Sequence, residues 1–320
     1  MPLDPDVRDL LAEGAEAPPL ESLSLEQART AIRGVTALQG EAARMSDVRE
    51  HVVGRVRMRL YRPTGITGPA PVLLWVHGGG WTRGDLDTWD TPLKNLARRI
   101  PAVVASVDYR LAPETRFPGQ LGDVLDALRH LAEHAGSLGL DAGRVAIGGD
   151  SSGANLAAGA ALAVRDLGVG APLVAQVLIH PPTDPACATV SHLRYGSGYA
   201  LTTAFMRSAW RHYLPTPYAG EHPYAAPLRA RNLAALPPAI IATAEYDPLR
   251  DEGEQYAARL AEAGVPVGLR RFDGMIHGFM HHNGRVPASR ALPDWLGVQL
   301  RARLGPAPDA SGERRRARAG

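Results

Sequence analysis

The sequence predicts an α/β protein with a mostly parallel central sheet flanked by helices, and three observations carry that expectation. Short strand-like runs recur at residues 53–61, 72–76, 103–107, 145–147, 174–179, 240–243 and 267–272, alternating with helical stretches such as 121–133. The inner runs are apolar on both faces, as strands of a parallel sheet covered by helices must be. With 320 residues and 45% hydrophobic content, the chain can also build one large α/β core.

The elements follow in order. Residues 1 to about 45 stand outside the alternation and contain helical segments near 7–12 and 25–38. The run at 72–76 leads into His77-Gly78-Gly79-Gly80-Trp81. Consecutive glycines let backbone N–H groups converge on one point with no Cβ in the way, which suits an oxyanion. A phosphate cradle would need a following Gly-Lys-Ser/Thr or a dinucleotide spacing, and neither is present.

The run at 145–147 leads into Gly148-Gly149-Asp150-Ser151-Ser152-Gly153 and then an alanine-rich helix former. This pattern predicts a serine on a tight strand-to-helix turn, at a helix N-terminus where developing negative charge is favoured. Downstream, the run at 240–243 feeds a loop with Asp247, Asp251 and Glu252, and the run at 267–272 precedes His277. A nucleophile, then an acid, then a histidine is one known order for an acyl-transfer site. Asp184, after the run at 174–179, is a competing acid, whereas Asp251 reads as a first-turn helix carboxylate.

Five ordered motifs make the chain resemble the hormone-sensitive lipase family (bacterial family IV esterases) of the α/β-hydrolases. They are His77-Gly78-Gly79-Gly80-Trp81, Asp108-Tyr109-Arg110-Leu111-Ala112-Pro113-Glu114, the serine elbow, Asp247 to Gly253, and His277-Gly278-Phe279. The likeness spans nearly all of residues 45 to 303. It implies an α/β-hydrolase fold, with Ser151 as nucleophile, His277 as general base and Asp247 as the acid that orients it. It implies an oxyanion hole from the N–H groups of Gly79, Gly80 and Ser152, where Ser152 replaces the usual alanine and its hydroxyl would trim the acyl pocket or hold a water.

The resemblance further implies that residues 1–45 and an insertion at about 184–224 cap a catalytic domain of 46–304. Tyr199, Met206, Trp210 and Tyr213 would line the substrate pocket, widened where Ser208 and Ala209 replace bulk. The activity implied is serine carboxylic-ester hydrolysis of short- to medium-chain acyl esters, with no metal or organic cofactor. An amidase, lactonase or acyltransferase with the same triad is the alternative. So is a non-catalytic small-molecule receptor, against which the presence of His277 stands.

The remaining residues read as structural. Arg110 and Glu114 are expected to pair, His77 to bond loop backbone, Asp150 to face its own loop, and His281 and His282 to face solvent. Net charge of +2 gives no case for a nucleic-acid partner, and no apolar run approaches the ~18 residues of a membrane span. One cysteine, Cys187, and no basic-then-apolar start suggest the cytoplasm, with a homodimer possible. The Arg-rich stretch 305–320 is expected to be a disordered tail.

Overall fold

A computed structural model describes residues 2–305. Strands β1 (Met45–Val53), β2 (Val56–Pro63), β3 (Ala70–Val76), β4 (Val103–Asp108), β5 (Leu140–Asp150), β6 (Leu173–Ile179), β7 (Ala239–Tyr246) and β8 (Val267–Ile276) form one sheet of order β1-β2-β4-β3-β5-β6-β7-β8. The β1/β2 and β2/β4 pairings are antiparallel and all others are parallel. Helices α1 (Pro5–Glu13), α2 (Leu25–Ala31), α3 (Asp90–Ala97), α4 (Gly119–Glu133), α5 (Ala135–Leu138), α6 (Ser152–Leu167), α7 (Val190–Tyr195), α8 (Thr203–Tyr213), α9 (Arg250–Glu262) and α10 (Ala291–Leu304) complete it.

Strand β3 shows why the sheet is covered on both faces. All seven of its residues are buried, and they alternate between two cores. Val72, Leu74 and Val76 join the core under α4, α6 and α9, while Leu73 and Trp75 join the one under α3 and α10. The sequence expectation differs at the edge: the run at 53–61 is no single strand but the turn and second arm of a β1–β2 hairpin. Gly54 (φ +59) makes the reversal. Ser46, Asp47, Arg49, Glu50 and His51 make β1 polar, which suits an edge strand and hides it from a search for apolar runs.

The Arg110–Glu114 pair expected from sequence does not form. Arg110 Nη2 donates to Asp123 Oδ1 of α4 at 2.7 Å, whereas Glu114 Oε2 pairs with Arg29 Nη2 of α2 at 2.7 Å. The turn between the two residues directs them to opposite neighbours. Arg29 also donates to the carbonyls of Thr82 and Ala112. The insertion meets the N-terminal segment where Thr202 Oγ1 donates to Glu21 Oε2 at 2.9 Å. No described helix is long and apolar enough to cross a membrane. The expected tail, beyond Gly305, lies outside the described residues.

The elbow is the tightest point of the fold. A Cβ on Gly153 would overlap the carbonyl oxygen of Val76, and one on Gly149 would come within 2.5 Å of that same oxygen. Gly153→Ala is therefore expected to lower the unfolding free energy by more than ~2 kcal/mol in urea titrations. Gly136→Ala, at a position with open space around it, should not lower it.

Candidate active site

Three strand ends deliver three side chains to one point. Ser151 follows β5, Asp247 follows β7 and His277 follows β8, all at the carboxyl edge of the sheet where ligands of open α/β sheets bind. His277 Nε2 lies 3.0 Å from Ser151 Oγ, and His277 Nδ1 lies 2.8 Å from Asp247 Oδ2. Asp247 is fully buried, and its Oδ1 accepts the Leu249 N–H at 2.8 Å. Ser151 sits at φ 52, ψ −126, a strained left-handed backbone, with its N–H donating to the Ile179 carbonyl at 2.8 Å.

The competing acids are engaged elsewhere. Asp184 pairs with Arg229 at 2.8 Å. Asp251, in the first turn of α9, accepts the Ser191 N–H at 2.7 Å and pairs with Arg250.

Gly79 (φ +110) and Gly80 (φ +63) adopt conformations that favour glycine. Among the described residues, the N–H groups of Gly79, Gly80 and Ser152 donate to no protein acceptor. The Ser152 hydroxyl does not reach a pocket: it is fully buried beside the Tyr109 phenol. His77 Nδ1 lies 2.8 Å from the Gly78 carbonyl, as expected.

Asp150 corrects the sequence reading. Instead of facing its own loop, its Oδ1 accepts the indole N–H groups of Trp89 at 2.7 Å and Trp75 at 3.2 Å. A Cβ on Gly78 would come within 2.5 Å of its Oδ2, so the carboxyl lies directly against the glycine loop. His180 had no motif to mark it, yet its buried ring lies 4.1 Å from that of His277. Burial holds the His180 pKa well below the usual histidine value, so it meets His277 uncharged.

His281 and His282 are buried, not solvent-facing as expected. The turn at Gly278 (φ +76) folds them inward, and His281 meets Trp89 edge-on at 4.7 Å, its Nδ1 2.9 Å from Gln39 Nε2. Burial lowers their pKa values to about 3 and about 4. Of the described residues, His180, Asp247 and His277 are the group whose ligand atoms lie close enough to share a metal, all within 4.8 Å. Both His277 nitrogens already stand at hydrogen-bond distance from Ser151 and Asp247.

A cavity of about 220 Å³ opens at Ser151 and His277. Leu20, Ile32 and Val35 of the N-terminal segment and Ala200, Leu201 and Phe205 of the insertion border it. None of the four residues expected there does. Tyr199 stacks on Tyr246 at 5.2 Å, while Trp210 and Tyr213 pack on Trp81 at 4.5 Å. Met206 is buried in the same core as these two. Helical spacing explains part of the difference: Phe205 and Ala209, four apart, face Gly80, which turns Met206 and Trp210 away, while Tyr213, one turn further along the same face, meets Trp81. Ser208 and Ala209 do not border the cavity either. Four larger surface concavities, of about 480, 610, 500 and 540 Å³, hold no serine–histidine pair.

A family model describing the alpha/beta hydrolase fold matches residues 73–281. Esterase LipI of Mycobacterium tuberculosis is 42% identical over 261 residues, covering 78% of this chain and 79% of the relative. The ethyl acetate hydrolase of Pseudomonas putida is 38% identical over 299 residues, covering 88% and 92%. The crystal structure of a thermostable esterase from Pseudomonas putida is similar with a TM-score of 0.91 at 35% identity, covering 96% of this chain and 99% of that one. The chain belongs to the α/β-hydrolase fold family, as a carboxylesterase similar to the hormone-sensitive lipase group.

Proposed function

We propose that the chain hydrolyses short- to medium-chain carboxylic esters through Ser151, His277 and Asp247. The observation that carries this reading is the unbroken hydrogen-bonded series from Ser151 Oγ through both nitrogens of His277 to the buried Asp247. Ser151 Oγ attacks the ester carbonyl as His277 Nε2 takes its proton, and Asp247 holds Nδ1–H and offsets the imidazolium charge. The carbonyl oxygen, now an oxyanion, accepts from the N–H groups of Gly79, Gly80 and Ser152, at the positive end of the α6 dipole. The alcohol leaves with the proton from His277, and a water activated by the same nitrogen releases the acid.

Residues 1–45 and 184–224 act as the cap in this reading. Their apolar side chains around a cavity of about 220 Å³, below the ~300–1,000 Å³ of ordinary ligand sites, support small acyl groups. The names of the relatives, an esterase and an ethyl acetate hydrolase, favour an ester over an amide or lactone. The single cysteine suits a reducing cytoplasm.

Asp150 acts as a positioning residue, joining the serine elbow to the glycine loop. Burial lifts its pKa to about 7, against the opposing pull of the two indole donors and His277. A carboxyl raised in the folded state binds its proton more tightly there than in the unfolded chain. Its contribution to stability is thus full below the unfolded value near ~4 and is lost as pH rises to about 7.

Five measurements test these assignments. Ser151→Ala should fold and lose on the order of 10⁴- to 10⁶-fold in kcat for an aryl acetate. Asp247→Asn should lose about 10⁴-fold through the wrong imidazole tautomer, far more than Asp184→Asn or Asp251→Asn. Activity on aryl esters should peak between roughly two and eight acyl carbons, since each methylene contributes about 0.8 kcal/mol only while it finds apolar wall. Leu201→Ala should shift that optimum to longer chains. In thermal melts between pH 4 and 7, Asp150→Asn should lose less stability than the wild type as pH rises.

A further inference from the structure

Arg83 is the charged side chain that the proposed mechanism does not use, and it borders the cavity that holds Ser151. It is only 8% exposed. Its Nε is buried without a hydrogen-bond partner, and among the described residues no carboxylate pairs with its guanidinium. Other arginines of this chain are matched: Arg110 with Asp123, Arg229 with Asp184, Arg29 with Glu114. The guanidinium carbon lies 4.5 Å from the centroid of the Phe205 ring, and that ring packs against Gly80. The Arg83 stem runs beside Gly79, with Cγ 3.1 Å from where a Cβ there would stand.

Stacking over Phe205 satisfies one face of the guanidinium and leaves its in-plane N–H donors without acceptors. A buried, unmatched charge is among the costliest arrangements in a protein interior, and such groups cluster at functional sites. Burial lowers the Arg83 pKa only to about 10, so the cation persists at neutral pH. A planar fork of donors in a cavity beside the reacting serine matches the two oxygens of a carboxylate.

We propose that Arg83 binds a carboxylate on the acyl portion of the substrate, so that half-esters of short dicarboxylic acids are the preferred class. This rests on the serine-esterase reading above. The ester C–O bond breaks, water supplies hydroxyl to the acyl carbon and a proton to the departing alcohol, and the free dicarboxylate is the product. The apolar wall of Leu201 and Phe205 carries the methylenes between the scissile carbonyl and the carboxylate.

Monoethyl succinate and ethyl butyrate form a matched pair that differs by carboxylate against methyl, and a pH-stat follows both. The wild type should show the higher kcat/KM on the half-ester. Arg83→Met should lower the ratio of the two kcat/KM values by roughly 10- to 100-fold, the worth of a charge-assisted hydrogen bond, and Arg83→Lys should restore part of it. Free succinate should inhibit the wild type more strongly than butyrate does. If Arg83→Met fails to fold, the wild-type ratio and the succinate inhibition decide. A wild type that prefers ethyl butyrate and ignores succinate, or a ratio unchanged in Arg83→Met, overturns the proposal. Ser151→Ala separates the two claims. Loss of both hydrolyses with an Arg83-independent ratio sinks the carboxylate site alone, whereas retained hydrolysis sinks the serine mechanism.

Discussion

The approach of the α6 N-terminus to the end of β3 is the contact on which the rest of the site depends. Gly149 and Gly153 touch the carbonyl of Val76 so closely that a methyl group at either position has no room. That closeness forces Ser151 into positive φ and lifts its hydroxyl out of the sheet edge. It also brings the loop after β3 beside the serine, so the Gly79 and Gly80 amides and the Ser151 hydroxyl are set by one piece of packing. Strain at Ser151 is tolerated because buried strands on either side over-determine the backbone.

Around this point the chain uses buried polar groups as joints. Asp150 ties the elbow to Trp75 and Trp89, and His180 lies against the His277 ring. Glu252 does similar work beneath the insertion, accepting the backbone N–H of Asp184 at 2.8 Å and that of Thr183. Its pKa is lifted to about 8 by burial despite those donors. Each joint connects segments distant in sequence, which positions side chains more rigidly than apolar packing alone.

The sheet, and the strand ends after which Ser151, Asp247 and His277 stand, were legible because each depends on local signals: apolar runs, glycines where a Cβ cannot fit, and the order of motifs. What escaped the sequence depends on the neighbours that a residue meets only after folding. The partner of Arg110 lies on α4, and the face of α8 turned toward Gly80 is chosen by packing, so Phe205 and not Trp210 borders the cavity. Strand β1 was hidden by its polar residues, and no local signal marks Arg83 as a buried cation. His281 and His282 show the same limit, since nothing in two adjacent histidines announces an inward turn.

The Arg29 clamp has a consequence for how the protein fails. Leu20, Ile32 and Val35 wall the cavity, and their segment is held to the body by polar contacts at a few points: Arg29 with Thr82, Ala112 and Glu114, Thr202 with Glu21, and Gln39 with Thr88 and His281. Glu114 is 62% exposed, so salt and denaturant reach that pair directly. The central strand β3, by contrast, is closed to solvent on both faces. Loosening of this wall is a low-energy local opening, distinct from global unfolding. Opening of this wall therefore does not require the sheet to unfold, so the cavity at Ser151 can come apart and reseat while the secondary structure stays intact.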